Sequence, residues 1–274
     1  MKSNSSERGP ESPGHREITA ALDRSRARLG RLATRVIVLG STPSTNDEAA
    51  SLAATGEAEG VVVIADAQTS GRGRRGHEWF SPAGTGLYVS LVVAPARARV
   101  DRERATSLLT LMAGVALAEG IEAASGLRVD LKWPNDLFVG RRKLGGILAE
   151  GAARESVVLG YGVNVATRAF PPELSDRATS LESELGRPID RTTTLVETLA
   201  ALARRYDELI DGRYDGILDA WRAQAPASRG ARVTWSHGTT PMAGVTAGID
   251  DRGALLVQVG DGLERIVSGE ITWL

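Results

Sequence analysis

Residues 128–165 read RVDLKWPNDLFVGRRKLGGILAEGAARESVVLGYGVNV, and the architecture can be argued from this stretch first. Apolar and polar residues alternate over Arg128–Trp133, and a Pro134-Asn135-Asp136 turn reverses the chain. Leu137–Val139, Lys143–Glu150 and Val157–Val165 then follow after short connections. Such runs, bounded by turn residues, predict strands, and links this short join antiparallel neighbours. The expected fold class is α+β: a mixed, largely antiparallel central sheet with packed helices.

Upstream, the sequence predicts a strand at Val36–Leu39, a helix near Asn46–Ala54 and a second strand at Val61–Ala67. Thr69–Gly86 is a Gly/Arg-rich loop, and the apolar run Leu87–Val93 is a strand buried on both faces. Leu108, Leu111, Met112 and Val115 recur at helical spacing, which predicts a core helix over Arg104–Ala124. Downstream, Leu195, Leu199, Leu202, Tyr206 and Leu209 mark another amphipathic helix, and Tyr214–Gln224 continues helical until Pro226. From Gly230 short alternating segments broken at His237-Gly238, Asp250–Gly253 and Gly260–Gly262 predict a five-stranded barrel of roughly 45 residues. The polar start predicts a mobile tail, followed by an Arg-rich helical stretch near Ile18–Leu32. The expected division is a flexible extension over 1–35, a large domain over 36–227 and a small one over 228–274.

With 42% hydrophobic and 24% charged residues, the 274-residue chain has the composition of a globular protein. No apolar run reaches about 18 residues and no apolar segment opens the chain, so neither a membrane span nor secretion is expected and the cytoplasm is the default. The absence of cysteine excludes disulfides, thiol nucleophiles and zinc–thiolate sites. A formal net charge of −1 argues against a chain-wide design for nucleic acid. Of the 33 basic residues only Lys2, Lys132 and Lys143 are lysine. His15, His77 and His237 are scattered, so no histidine metal site or Ser-His-Asp triad is expected.

Gly71-Arg72-Gly73-Arg74-Arg75-Gly76 satisfies the dinucleotide fingerprint G-x-G-x-x-G after an apolar strand. The following His77-Glu78-Trp79-Phe80-Ser81-Pro82 cannot open the helix that would hold a pyrophosphate, so a Rossmann site is not expected. No P-loop signature is present either. The three guanidinium groups could fold over an anion, or the segment could be a solvated basic loop. Lys132 ends a strand just before the turn; it is either a solvent-seeking strand-end lysine or a fixed cation between a carboxyl and a phosphate. Ser44-Thr45-Asn46 begins a helix and can cap it, while Gln68 sits at a strand end and offers both a donor and an acceptor. Gly145-Gly146 and Gly160–Asn164 weaken two strands in the way tolerated where a ligand approaches the backbone.

In order and spacing, Ser44-Thr45-Asn46, Gln68 with Gly71–Gly76, Lys132–Asp136, Lys143–Leu148 and Gly160–Asn164 together resemble the biotin–protein ligase family. The similarity covers Val36–Leu274 and implies a catalytic domain related to class II aminoacyl-tRNA synthetases with an SH3-like C-terminal domain. It implies an enzyme that makes biotinoyl-AMP from biotin and ATP and passes the biotin to a lysine on the biotin carboxyl carrier domain of an acyl-CoA carboxylase. Ser44, Thr45, Asn46 and Gln68 would hold the biotin head, and Arg72, Gly73 and Arg74 would close over its tail and the adenylate. Gly146 and Gly162 would also contact biotin. Lys132 and Arg74 are the implied catalytic residues, with Lys132 on the biotin carboxyl and α-phosphate oxygens; Arg74, Arg75, Lys132, Asn164 and the loop Thr167–Ser180 would face ATP, with Mg²⁺ on its phosphates and no metal site of the protein's own. About 35 residues before the first strand are too few for a winged helix, so a ligase without DNA binding is expected, with a homodimer left open. The alternatives are a lipoate–protein ligase and a nucleic-acid-binding protein built on the Arg-rich loop and the barrel.

Overall fold

A computed structural model describes residues 13–56, 59–166, 170–237 and 240–274. Two helices come first, α1 (Pro13–Arg24) and α2 (Arg26–Leu29), followed by β1 (Arg35–Thr42), α3 (Thr45–Thr55), β2 (Val61–Gln68) and β3 (Gly86–Val93). The long helix α4 (Arg102–Ser125) leads to β4 (Asp130–Lys132), β5 (Asp136–Val139), β6 (Arg142–Gly151) and β7 (Val157–Asn164). Next are α5 (Leu181–Leu185), α6 (Arg191–Ile210) and α7 (Tyr214–Gln224). The chain ends in β8 (Arg229–His237), β9 (Thr240–Ile249), β10 (Leu255–Val259), β11 (Gly262–Ile266) and β12 (Thr272–Trp273).

The first seven strands form one sheet in the order β1-β2-β3-β7-β6-β5-β4, parallel only between β1 and β2. Its two faces are covered differently, because side chains alternate along each strand. Val89, Tyr161 and Ile147 stand in one row across β3, β7 and β6, all on the face that packs with α4 and α6 in the main core. On the opposite face α3 covers only one end, with Ala49 and Ala53 against Val63, Val92 and Val158. The rest of that face lies beneath the Thr69–Gly86 loop, whose Trp79 rests against Gly162.

Helix α4 is long and apolar enough to cross a membrane by length and composition, yet it lies inside this fold, with Leu108, Met112, Val115 and Leu117 fully buried. Gly120 lets it approach α6: a Cβ there would sit 2.5 Å from Thr198 Cα and 2.8 Å from the Glu197 carbonyl oxygen. Backbone cannot yield as a side chain does, so Gly120→Ala should destabilise the protein by about 2–3 kcal/mol, the cost of an overpacked core. Urea unfolding of the purified variant would measure this.

The N-terminal expectation needs correction from residue 13 onward. Ile18, Leu22, Leu29 and Leu32 are buried in the main core, and Arg28 grips the Glu197 carboxylate with both terminal nitrogens at 2.8 and 2.6 Å. An amphipathic helix with a place to bury its apolar stripe docks rather than staying mobile. The tail expected over residues 1–12 lies outside the described residues. The five C-terminal strands form an antiparallel sheet in the order β11-β10-β9-β8-β12. Val233, Leu255 and Val257 belong to the same core as α4, and Trp133 Nε1 donates to the Gly253 carbonyl at 2.9 Å. The small unit is thus packed against the strand that carries Lys132.

Candidate active site

Residues directly opposite one another on paired strands point to the same side. One row across the open face is therefore Lys132, Asp136, Gly146, Gly162 and Tyr88, and the next is Leu148, Gly160 and Ser90. Three glycines in two adjacent rows make a depression in the sheet. Gly160 admits Asn46, since a Cβ there would collide with its amide, and Gly162 admits the Trp79 indole, which would meet a Cβ in the same way.

A polar chain of contacts forms one end of this floor. The Thr45 amide and hydroxyl both donate to Gln68 Oε1, at 2.9 and 3.1 Å, and Gln68 Nε2 donates to Ser81 Oγ at 2.9 Å. Ser90 Oγ lies 2.6 Å from Asn46 Oδ1 and 2.8 Å from Thr45 Oγ1. Asn46 Nδ2 donates to Glu150 at 2.8 Å. Ser44 is buried at the start of α3 but makes no side-chain cap bond, so the capping role expected for it is not realised. Ser44, Thr45, Asn46 and Gln68 are thus brought together at the junction of α3 and β2.

The other end is cationic. The β5–β6 pairing shifts register, with Leu137 opposite Gly145 but Phe138 opposite Lys143. This bulge at Leu144 breaks the alternation and turns Lys143 onto the same face as Gly146. A Cβ on Gly146 would lie 3.4 Å from Lys143 Nζ, and the ammonium pairs with Asp136 Oδ1 at 2.7 Å, 5.6 Å from the centre of the Trp79 ring. Lys143 therefore stands over the glycine floor. Lys132 stands farther toward the C-terminal unit, 4.3 Å from the Phe138 ring and 5.2 Å from that of Trp273, with no carboxylate within ion-pair distance among the described residues. Burial holds its ammonium below the usual lysine range, opposed by the charge of Asp136.

The Gly/Arg segment is a small hairpin rather than a shapeless loop: Gly73 N donates to His77 O at 2.7 Å and Trp79 N to Gly71 O at 2.8 Å. Arg74 is half-buried and reaches Asn135 Oδ1 at 3.2 Å, while Asn135 Nδ2 donates to Ile147 O at 2.7 Å. Burial and then the charge of Arg75 lower the Arg74 pKa. Arg74 and Arg75 border a cleft of about 600 Å³ shared with Asn135, Leu148, Arg252 and Arg265, open between the two units. Arg72 points elsewhere, pairing with Glu150 at 2.5 Å and Asp47 at 3.0 Å. Asn164 is buried and donates to Thr179 O at 2.9 Å, beside Phe80 and Phe170; residues 167–169 of the loop expected to face the nucleotide lie outside the described residues.

Residues 38–164 match the model of the biotin/lipoate A/B protein ligase family, and residues 234–272 match that of the biotin protein ligase C terminal domain. A biotin–[acetyl-CoA-carboxylase] ligase of Paracoccus denitrificans is 34% identical over 243 residues, which is 85% of this chain and 98% of that protein. The chain belongs to the biotin/lipoate A/B protein ligase family. Within that family a bifunctional ligase/repressor BirA of Bacillus spizizenii is 38% identical over 241 residues, 85% of this chain and 71% of the relative. A biotin protein ligase from Aquifex aeolicus, solved with biotin and ATP, superposes with a TM-score of 0.76 at 28% identity, covering 88% of this chain and 99% of the other. The mixed sheet and the C-terminal β domain expected from the sequence are those of this family. Sequence reasoning gave Trp79, Ser90, Glu150 and Lys143 no individual role at the site, although all four border the floor.

Proposed function

We propose that this protein is an ATP-dependent biotin–protein ligase that joins the biotin carboxylate to AMP and then transfers the acyl group to a lysine of a carboxylase carrier domain. The carrying observation is the glycine floor, with a hydrogen-bonding pocket at one end and the Lys143 and Arg74 cations at the other. That layout suits a slender acid with a polar head and a distal carboxylate. Thr45, Asn46 and Gln68, with Ser44 beside them, would hold the ureido head, and the Trp79 indole and the Gly71–Gly76 hairpin would cover the tail. The buried Trp79 Nε1 has no protein partner among the described residues, and an acceptor on the ligand would satisfy it.

In the first step a carboxylate oxygen attacks the α-phosphorus and pyrophosphate leaves. Negative charge accumulates on the carboxyl and phosphate oxygens between which Lys143 would sit, and a cation fixed there stabilises the transition state more than the ground state. Lys132, assigned this role on sequence grounds, is packed against Phe138 and Trp273, so we assign it to the nucleotide rather than to the biotin carboxyl, with Arg74 and Arg75 at the cleft and Asn164 apart from them beside Phe80 and Phe170. Mg²⁺ would enter with ATP, held by phosphate oxygens and water. In the second step the neutral acceptor amine attacks the acyl carbon, the C–O bond to AMP breaks and the amine proton is lost. The hairpin would keep water from the mixed anhydride until then.

The name of the Paracoccus relative supports an acetyl-CoA carboxylase as source of the carrier. With ATP and Mg²⁺ but no carrier, biotin should release about one equivalent of pyrophosphate per protein, because the adenylate is retained. Lipoate should release none; a lipoate-dependent burst without a biotin-dependent one would assign the chain to the other branch of its family.

A further inference from the structure

We infer that Glu150 is a positioning residue that ties the head pocket to the Gly/Arg hairpin, an inference that rests on the ligase reading for its catalytic consequence but not for its structural one. Glu150 stands on the site face of β6, and one of its oxygens, Oε2, receives both Asn46 Nδ2 at 2.8 Å and Arg72 Nη2 at 2.5 Å. Arg72 is also held by Asp47 on α3, so its guanidinium is clamped between a strand and a helix that both line the pocket. The three charged side chains are partly exposed, and an ion pair of that kind contributes little by itself. The third partner makes the difference. Asn46 is buried, its Oδ1 is taken by Ser90, and only the absent Cβ of Gly160 leaves room for it. A carboxylate accepts hydrogen bonds and donates none, so Glu150 dictates that Asn46 turns its NH₂ outward and its oxygen toward Ser90. The contacts then run unbroken from Arg72 through Glu150, Asn46, Ser90, Thr45 and Gln68 to Ser81, so both ends of the Gly71–Ser81 segment are fastened to the same pocket.

Glu150→Ala, Arg72→Ala and the double variant should be compared in two measurements, with Glu150→Gln as the conservative control. In the ligand-free protein, amide hydrogen exchange at Gly73 and Trp79 should speed up about fivefold in either single variant, the size expected for losing one partly exposed ion pair. The double variant should exchange no faster than either single one. Release of the adenylate into solution should rise in parallel, and by more than its formation slows. Glu150→Gln keeps an acceptor for Asn46 but loses the charge that holds Arg72. It should therefore restore the KM for biotin toward wild type while the hairpin still exchanges fast, a split that general loss of stability would not produce. Multiplying effects in the double variant, or unchanged exchange in Glu150→Ala, would overturn the inference. If the wild-type protein forms no adenylate from biotin, the ligase reading fails, while the exchange measurement still decides the tie.

Discussion

Lys143→Ala is expected to lower biotin-dependent pyrophosphate release about 10²–10³-fold, the loss typical of removing one group aimed at developing charge in a dry site. Lys132→Ala should lower it no more than about tenfold, because its cation acts farther away and through partly solvated space. The difference arises from placement. Lys143 Nζ lies over Gly146 and against Asp136, while Lys132 is packed between Phe138 and Trp273. Loss of the Lys143–Asp136 pair should cost about 1 kcal/mol of stability or less, as both partners remain partly exposed. A thermal melt run beside the kinetics will separate that small cost from the catalytic one. A larger loss in Lys132→Ala than in Lys143→Ala would return the role to Lys132.

Gly160→Ala is expected to weaken biotin binding about 5- to 150-fold, the equivalent of the roughly 1–3 kcal/mol that overpacking costs. The added methyl would occupy the space of the Asn46 amide, and β7 cannot retreat because it is paired with β3 and β6 on both sides. Asn46 must therefore move, pulling away from Ser90 and Glu150. Titration calorimetry with biotin alone should show the loss without ATP in the cell. Binding within twofold of wild type would mean that Asn46 is not part of the head pocket.

The same two positions show how far the sequence could be read. A short apolar run over Val157–Val165, bounded by turn residues, was enough to place that strand, and glycines in it pointed to a close approach. It could not say what approaches: Asn46 is 114 positions away from Gly160, and only the fold brings them together. Lys143 escaped for a local reason. Counted by twos from Gly146 it belongs on the core face, and the bulge at Leu144 that reverses this is a property of the pairing with β5. Lys132 attracted attention because it ends an unbroken alternation before a turn, a pattern that fixes direction but not distance to a ligand. The helix Leu181–Leu185 carries too few residues for a helical period to emerge. The N-terminal helices were legible as helices, but whether they dock depends on acceptor surface contributed by α6.

The glycine floor also constrains how such a protein can change over generations. Every substitution at Gly146, Gly160 or Gly162 adds atoms, so the floor can be raised but never lowered. A lineage drifting toward a smaller acid has three codons at which one nucleotide change would raise that floor, at Gly160 and Gly162 by pushing on Asn46 and Trp79. One drifting toward a bulkier acid has none, and must instead enlarge the site from above, by trimming Trp79 or lengthening the hairpin that carries it.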